Sequence, residues 1–355
     1  MRSTRKKNAL RRLSIPLAVA LAVTACGGSD GGGGGEGGDG PTEIRFLIAP
    51  DPVWDYLNEE GIVAEYEEKY NIAINTNASW DEFQFFAGGH GDIVSLGTLE
   101  LPILEERTGV DTVTFGRYNS FRSSPAARCD SGWETLEDVP EGSKIGINSP
   151  VSAGLLWDLY TRETYGYPLE VNNDENPYEM LVEDHFIMPE LLARGDLDVA
   201  VLLPEAASPY IRSGEICYMY EGEPSWRIIA ESMLPNPEHQ GIMSNNFTST
   251  KEFYEENPEA VAAFLALWER GLKEWQGNRQ AIVERYPQHF TVEEQEDIDF
   301  VVDYLEGDKD FFAETVYLDE EWIESETTIY ESMIENGLME DTEDLPEFVV
   351  EEPIE

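Results

Sequence analysis

Between residues 41 and 337, short apolar runs of strand length alternate with longer stretches of helical periodicity. Residues 43–49 (EIRFLIA) and 197–203 (LDVAVLL) have the length and composition of buried strands. Among the helical stretches, the clearest is residues 251–275, which carry a wide apolar stripe. Regular alternation of this kind is typical of α/β domains with a mainly parallel sheet. The pattern therefore predicts an α/β fold with doubly wound sheets.

The strand pattern occurs in two blocks, and a polar stretch at residues 118–142 separates them. The 315 residues that follow position 40 exceed what one compact core usually holds, so we expect two domains. The predicted parts are a signal peptide (1–25), a lipidated cysteine with a glycine-rich tether (26–40), a discontinuous first domain (41–125 plus 232–338), a second domain (126–231) and an acidic, partly disordered tail (339–355).

The N-terminus has the layout of a bacterial export signal. Six basic residues and no acidic residue occur in the first twelve positions, and the apolar run at 13–22 follows. That run is too short to span a bilayer. The sequence Val-Thr-Ala-Cys, ending at Cys26, resembles a lipobox, and the glycine-rich residues after it predict a flexible tether. We therefore expect an extracytoplasmic protein that is anchored to the membrane by a lipid on Cys26.

Acidic residues greatly outnumber basic residues. The chain has 72 Asp and Glu against 23 Lys and Arg, a formal net charge of −49. Six of the basic residues precede Cys26 and all the acidic residues follow it, so the remainder carries −55. Such a surface repels phosphate, which excludes nucleic acid as a partner. The charge predicts adaptation to a saline medium, where ions screen the self-repulsion.

Few residues indicate covalent or metal chemistry. Two cysteines remain after Cys26, namely Cys129 and Cys217, and in an exported protein they either form a disulfide or stay free. We find no H-E-x-x-H, G-x-S-x-G or phosphate-loop motif and no Cys/His spacing typical of a metal site. The sequence therefore predicts no cofactor, no metal and no enzymatic activity.

Four segments, in this order, resemble the binding proteins for nitrate, sulfonate, taurine and thiamine pyrimidine, which have a periplasmic-binding-protein fold of type II. They are GGHGDIV (88–94), KIGINSPVSAGLLWDLY (144–160), LLARGDLDVAVLLPEAA (191–207) and FYEENPEAVAAFLALWERGLKEW (253–275). The resemblance implies two α/β domains joined by a two-crossover hinge, which close on a small-molecule ligand and deliver it to an ABC permease and its ATPase. We also expect a monomer. An exported enzyme on the same fold and a lipoprotein sensor subunit remain alternatives.

The candidate ligand-binding residues lie in loops that follow predicted strands, because ligands of open α/β sheets bind outside the carboxyl ends of the strands. The candidates are Trp54, Trp80, Asp81, Ser95, Thr98, Ser149, Ser152, Glu205 and Asn245.

Several of these residues have two possible roles. Ser149 and Ser152 precede a predicted helix, where they either cap it or help its free N–H groups hold a carbonyl or an anion. Trp54 and Trp80 either pack in the core or stack on a planar ligand. The resemblance implies that Glu205 faces the cleft, where we expect it to accept hydrogen bonds from an amine or amidine-like group of the ligand. Because these loops contain acidic residues but no Lys or Arg, we expect a neutral or amine-bearing, planar solute.

The charge leads to a prediction about stability. The Debye length falls from about 10 Å at 0.1 M salt to about 3 Å at 1 M, so repulsion between surface carboxylates weakens. We expect the melting temperature of the purified protein to rise as NaCl increases from low to molar concentration. A melting temperature that is constant or falls over this range would contradict the prediction.

Overall fold

The computed structural model describes residues 40–236, 240–306, 309–340 and 345–354. The predicted signal peptide, Cys26 and almost all of the tether lie outside these residues. Within the described ranges, no helix combines the length and the apolar character needed to cross a bilayer.

The described elements alternate along the chain as the apolar pattern predicts. The strands are β1 (Thr42–Ile48), β2 (Ile72–Ala78), β3 (Ile93–Leu96), β4 (Thr112–Ser120), β5 (Ser124–Arg128), β6 (Lys144–Ile147), β7 (Glu179–Val182), β8 (Val199–Leu202), β9 (Ile216–Tyr218), β10 (Met243–Thr250) and β11 (Glu347–Phe348). The α-helices are α1 (Pro52–Glu59), α2 (Ile62–Tyr70), α3 (Glu82–Ala87), α4 (Leu101–Thr108), α5 (Ala153–Tyr165), α6 (Met188–Arg194), α7 (Pro204–Ser213), α8 (Ser225–Met233), α9 (Lys251–Glu256), α10 (Pro258–Arg285), α11 (Gln295–Leu305) and α12 (Glu320–Glu335).

These strands form two mixed sheets. The first has the order β11-β4-β10-β3-β1-β2, in which β1 is parallel to β2 and β3, and β10 is antiparallel to β3 and β4. The second has the order β7-β6-β8-β5-β9, in which β6 is parallel to β7 and β8, and β5 is antiparallel to β8 and β9. We call the sheets with the helices that cover them the first lobe and the second lobe. The predicted α/β fold with two sheets is confirmed.

The chain crosses between the lobes at two places that lie side by side. The first crossing is short, since β4 ends at Ser120 and β5 begins at Ser124. Its residue Phe121 donates its N–H to the carbonyl of Ile242, just before β10, at 3.0 Å. The carbonyl of Phe121 accepts the N–H of Trp226, at the start of α8, at 2.9 Å. Most of the polar stretch 118–142, which the sequence suggested as the passage, therefore belongs to the second lobe.

Helix α10 packs across the first sheet and organises the core of the first lobe. The ring of Trp268 contacts Phe247 at 4.9 Å, Tyr118 at 4.6 Å and Phe46 at 5.9 Å between centroids. The helix predicted at residues 251–275 is divided into α9 and α10, because Pro258 has no N–H to continue α9 and instead occupies the first turn of a new helix.

Helix α12 packs against both lobes, although the sequence placed it in the first domain alone. Trp322 packs beside Met243 at the start of β10, whereas Ile329 and Met333 pack in the core of the second lobe. Between these contacts, the buried carboxylate of Glu326 accepts hydrogen bonds from the Thr98 hydroxyl and from the N–H of Ile242. The C-terminal helix therefore joins the two lobes behind the crossings.

A disulfide joins Cys129 to Cys217, which settles the two alternatives left by the sequence. Strands β5 and β9 are neighbours, with Ala127 opposite Cys217, and Cys129 follows β5 directly. The two Cα atoms are 4.8 Å apart and the residues are 88 positions apart in sequence. In the chain-entropy model, closing a loop of this length stabilises a protein by about 4 to 5 kcal/mol.

The acidic tail differs from the expected disorder over residues 345–354. Strand β11 pairs in parallel with β4 at the edge of the first sheet. The ring of Phe348 stacks on Tyr330 at 5.9 Å and meets Trp322 edge-on at 5.4 Å, while Glu347 binds Lys251 at 2.7 Å. Strand pairing, aromatic packing, an ion pair and a hydrogen bond from Tyr254 to Glu351 therefore hold a segment whose composition alone is typical of disordered chain.

Candidate ligand-binding cleft

A cavity of about 190 Å³ lies between the two sheets, at the ends of β1, β3, β6 and β8 where ligands of α/β proteins bind. Both lobes and the first crossing contribute to its wall. The polar residues that line it are Asp51, Glu82, Ser95, Glu100, Asn119, Arg122, Ser123, Asn148, Ser149, Ser152, His185, Glu205, Ser244, Asn245 and His289. The aromatic residues are Trp80, Tyr118, Phe121, Phe186, Phe290, Phe311 and Phe312.

Six of the nine predicted ligand-binding residues lie on this cavity. They are Trp80, Ser95, Ser149, Ser152, Glu205 and Asn245. Trp80, which is 52 % exposed, meets His185 at 4.9 Å and Phe186 at 6.0 Å between ring centroids. Since Trp80 follows β2 of the first lobe and His185 follows β7 of the second, these rings connect the lobes at the cavity.

The structure places Trp54 in the core and not on the cavity. It is 5 % exposed, and its ring stacks on Trp268 at 5.4 Å and 18° between planes. Asp51 caps α1 by accepting the N–H of Trp54 at 2.8 Å, and this fixes the turn that directs the indole towards α10. The suggested stacking of Trp54 on a ligand is thus wrong, because the buried face of α1 includes this residue.

Thr98 and Asp81 also lie outside the cavity wall. Thr98 is fully buried, and its hydroxyl donates to Glu326 and accepts from the Asn246 side chain at 3.0 Å. It therefore serves the junction with α12. Asp81 is exposed just before α3, and the next residue, Glu82, lines the cavity instead.

Arg122 is the only Lys or Arg on the described cavity wall, and it was not among the predicted site residues. Its Nε and Nη2 donate to Oε1 of Glu205 at 2.9 and 2.5 Å, and its guanidinium lies 4.0 Å from the centre of the Phe311 ring. Glu205 is 5 % exposed, so the pair is largely desolvated. Arg122 belongs to the first crossing and not to a loop after a strand. The sequence feature that could have indicated Arg122 is its charge within the short segment that crosses from one lobe to the other beside the cleft.

Two further carboxylates, Glu82 and Glu100, line the first-lobe side of the cavity and were also missed. Glu100 accepts the N–H of Gly97 at 2.9 Å. Burial raises the pKa of Glu82 to about 7, and the charge of Asp81 adds to this shift. Burial raises the pKa of Glu100 to about 8, with a further contribution from Glu82. Both residues therefore carry protons more readily than carboxylates in water.

The remaining titratable groups of the wall have partners or are neutral. Burial raises the pKa of Asp51, although this carboxylate accepts the hydroxyl of Tyr118 at 2.5 Å. Burial lowers the pKa of His185, which favours its neutral form. His289 is bonded to Asp55 at 2.7 Å. Within the described residues, no group of three metal-ligating side chains occurs.

The sequence of residues 49–267 matches the family model described as the ABC-transporter phosphonate periplasmic substrate-binding protein. The chain belongs to this family. It is the periplasmic substrate-binding component of an ABC importer, and the family is a transport component rather than an enzyme family. Among curated proteins, no sequence matches this chain.

Solved structures of other binding proteins have the same fold. The alkanesulfonate-binding protein of Xanthomonas axonopodis pv. citri has a TM-score of 0.63 at 12 % identity, covering 87 % of this chain and 98 % of its own. The aliphatic sulphonate-binding protein of Escherichia coli has 0.63 at 14 % identity, covering 85 % and 94 %. The nitrate-binding protein of Synechocystis has 0.57 at 12 % identity, covering 86 % and 84 %. At these identities the likeness establishes the fold of the binding protein.

The contrast between the two tryptophans gives a stability prediction. Replacing the buried Trp54 by Ala should lower the free energy of unfolding by about 3 to 5 kcal/mol, because it leaves a cavity beside Trp268. Replacing the half-exposed Trp80 by Ala should change it by about 0.5 kcal/mol or less. Urea denaturation of the two variants and the wild type measures both values. Equal losses, or a larger loss at Trp80, would contradict the placement of these side chains.

Proposed function

We propose that this binding protein is a lipid-anchored monomer that captures a small, planar, neutral or amine-bearing solute in the cavity and binds it without turnover. The observation that carries the proposal is a small cavity with walls from both lobes and from the crossing between them. In such an arrangement, closure of the lobes can bury a ligand and opening can release it.

The charges around the cavity support the choice of solute. Four carboxylic acids line it, namely Asp51, Glu82, Glu100 and Glu205, and Arg122 already binds Glu205. An anion would find no unpaired Lys or Arg on the described wall, and it would hinder the ionisation of these carboxylic acids, which disfavours it. The structural relatives named for sulfonates and nitrate share the fold of this chain. The charges of its cavity favour a different class of ligand.

The pairing of Glu205 changes its proposed role. From the sequence, Glu205 was the acceptor for an amine, yet its Oε1 holds Arg122. Its buried Oε2 has no hydrogen-bond partner in the described structure. Replacing Glu205 by Gln would leave Arg122 without its counterion, and breaking a buried pair is costly in itself. We therefore propose that Glu205 positions and neutralises Arg122 between the lobes.

The localisation follows from the N-terminal sequence. The proposed export signal and Cys26 place the protein outside the cytoplasm and hold it at the membrane, where the tether keeps it near a permease. The excess of acidic residues suits a saline exterior. An exported enzyme or a sensor subunit would have the same anchor, so the anchor alone does not separate the three functions.

The proposed function is tested by identifying the small molecule that co-purifies with the protein. We expect that denaturing the purified protein releases one small molecule per chain, identifiable by mass spectrometry. Returned to the protein, this molecule should bind saturably by calorimetry, stay chemically unchanged and reduce the radius of gyration in X-ray scattering as the lobes close. Formation of a product would instead favour the enzyme, and binding without any closure would contradict the proposed delivery mechanism.

The anchor is tested separately at Cys26. Without the thiol no thioether-linked lipid can form, so Cys26→Ala should move the protein from the membrane fraction to the soluble fraction or leave its signal peptide uncleaved. Ser29→Ala, a small change in the tether three residues later, is the matched control and should remain membrane-bound. Fractionation and the mass of the N-terminal peptide give the result. A Cys26→Ala protein that stays in membranes with a cleaved signal would rule out this lipid anchor.

A further inference from the structure

Several buried side-chain atoms of the cavity wall have no hydrogen-bond partner in the described structure, among them His185 Nε2 and a set of oxygens. Four side-chain oxygens of its wall are buried without a hydrogen-bond partner in the described structure: Glu82 Oε2, Ser95 Oγ, Asn119 Oδ1 and Glu205 Oε2. Buried polar groups of native proteins are nearly always hydrogen-bonded, so each of these atoms needs a partner. Three of the four, the carboxylate and amide oxygens, accept hydrogen bonds when the carboxylates are ionised, whereas the Ser95 hydroxyl can donate or accept. The cavity is therefore complementary to a solute that is rich in N–H or O–H groups.

The first-lobe side of the cavity combines these acceptors with negative charge. Glu82 begins α3 and Glu100 precedes α4, and the two carboxylates act on each other electrostatically. Ser95, near the end of β3, is fully buried, and its free hydroxyl belongs to the same wall. This unpartnered hydroxyl is a second observation, separate from the acidic pair, and it also indicates that a polar ligand group binds at this side of the cavity.

When Glu82 and Glu100 are ionised, the partner that balances their charge is a cation. Burying a carboxylate without a counter-charge is costly, and near Glu82 and Glu100 the wall provides none. Arg122 is bound to Glu205 of the second lobe through two of its N–H groups. A metal ion is disfavoured, because no group of three metal-ligating side chains occurs in the described residues.

We infer that Glu82, Glu100 and Ser95 form a subsite for the cationic group of the solute, an amidinium, guanidinium or protonated amine with several N–H donors. The inference rests on the proposed function and refines it, since it replaces Glu205 by the first-lobe carboxylates as the acceptors. Parallel N–H donors of a planar cation match carboxylate oxygens well. The rest of the solute lies towards Trp80 and the phenylalanine rings, which offer faces for a flat apolar body.

Binding of such a cation is coupled to proton release. The pKa values of Glu82 and Glu100 are raised to about 7 and about 8, so near neutral pH both are partly protonated in the empty site. A cation favours their ionised forms. The other charged or titratable groups of the wall are Asp51, Glu205, Arg122, His185 and His289, to which Asp81 adds its charge from the start of α3. Affinity for a permanent cation should therefore increase as the pH rises from about 6 to about 8.

The test compares two probes of nearly the same shape. Benzamidine is a planar cation with four N–H donors, and benzamide is its neutral isostere. Calorimetry on the full-length protein should show that benzamidine binds roughly 30-fold or more tightly than benzamide, the ratio expected when a buried charged hydrogen bond is lost. Titration in two buffers of different ionisation enthalpy should show protons released on binding. Methylphosphonate and ethanesulfonate serve as anionic probes.

Two isosteric variants locate the subsite. Glu82→Gln and Glu100→Gln should each weaken benzamidine binding roughly 30-fold or more and reduce the proton release. Glu68→Gln, an exposed position of α2 outside the cavity, should leave both unchanged. Melting temperatures identify any variant that fails to fold, and in that case the comparison of benzamidine with benzamide on the wild-type protein decides.

Each other outcome overturns the inference in a distinguishable way. If neither Glu82→Gln nor Glu100→Gln changes the affinity for benzamidine, the proposed subsite is wrong. The proposal of a cationic ligand would be wrong if an anionic probe bound more tightly than benzamidine, if benzamidine and benzamide bound equally, or if benzamidine did not bind at millimolar concentration. In these cases the proposed function as a binding protein remains supported if the molecule released from the protein binds to it again and stays chemically unchanged. Conversion of any probe into a product would contradict the proposed function.

Discussion

Phe121 holds the two crossings of the chain together, and the arrangement of the cavity depends on it. Its N–H and carbonyl bond to Ile242 and Trp226, which belong to the returning chain. The crossing is only three residues long, so the neighbouring residue Arg122 must lie between the lobes. There it binds Glu205 of the second lobe and stacks on Phe311 of the returning segment. The short crossing thus places the Arg122 guanidinium in the cleft, where its contacts fix the relative orientation of the two sides of the cavity.

The strands were predictable because most of them are buried. A strand that is covered on both faces is often apolar throughout, and this leaves a continuous signature such as that of β8. The position of the cavity followed from the same pattern, since the ends of parallel strands define where a ligand can bind. Six candidate residues therefore lie on its wall. What the local pattern could not determine was which face of a short helix packs inwards, and this misplaced Trp54, whose orientation depends on α10 more than 200 residues later in the chain.

The other differences also come from contacts distant in sequence. The tail has the composition of disordered chain, but Phe348 fits against Trp322 and Tyr330 of α12. Helix α12 has apolar residues typical of any amphipathic helix, and nothing local indicates that it packs against both lobes. The acidic cavity residues were hidden for another reason. In a chain with 72 acidic residues, a functional carboxylate cannot be recognised from its residue type. It is distinguished by its burial, which is known only from the folded structure.

The sheet order determines when each lobe can be completed during synthesis. All five strands of the second sheet come from one continuous stretch that ends with β9 at Tyr218, so this lobe can form its sheet as soon as that stretch exists. In the first sheet, β3 and β4 are joined only through β10, which lies between them, and β10 ends only at Thr250. The half-sheet that precedes it leaves open edges with unpaired backbone groups. The lobe that begins first along the chain is therefore the lobe that closes last, and the cavity is complete only later still, since Phe311 and Phe312 of its wall follow β10.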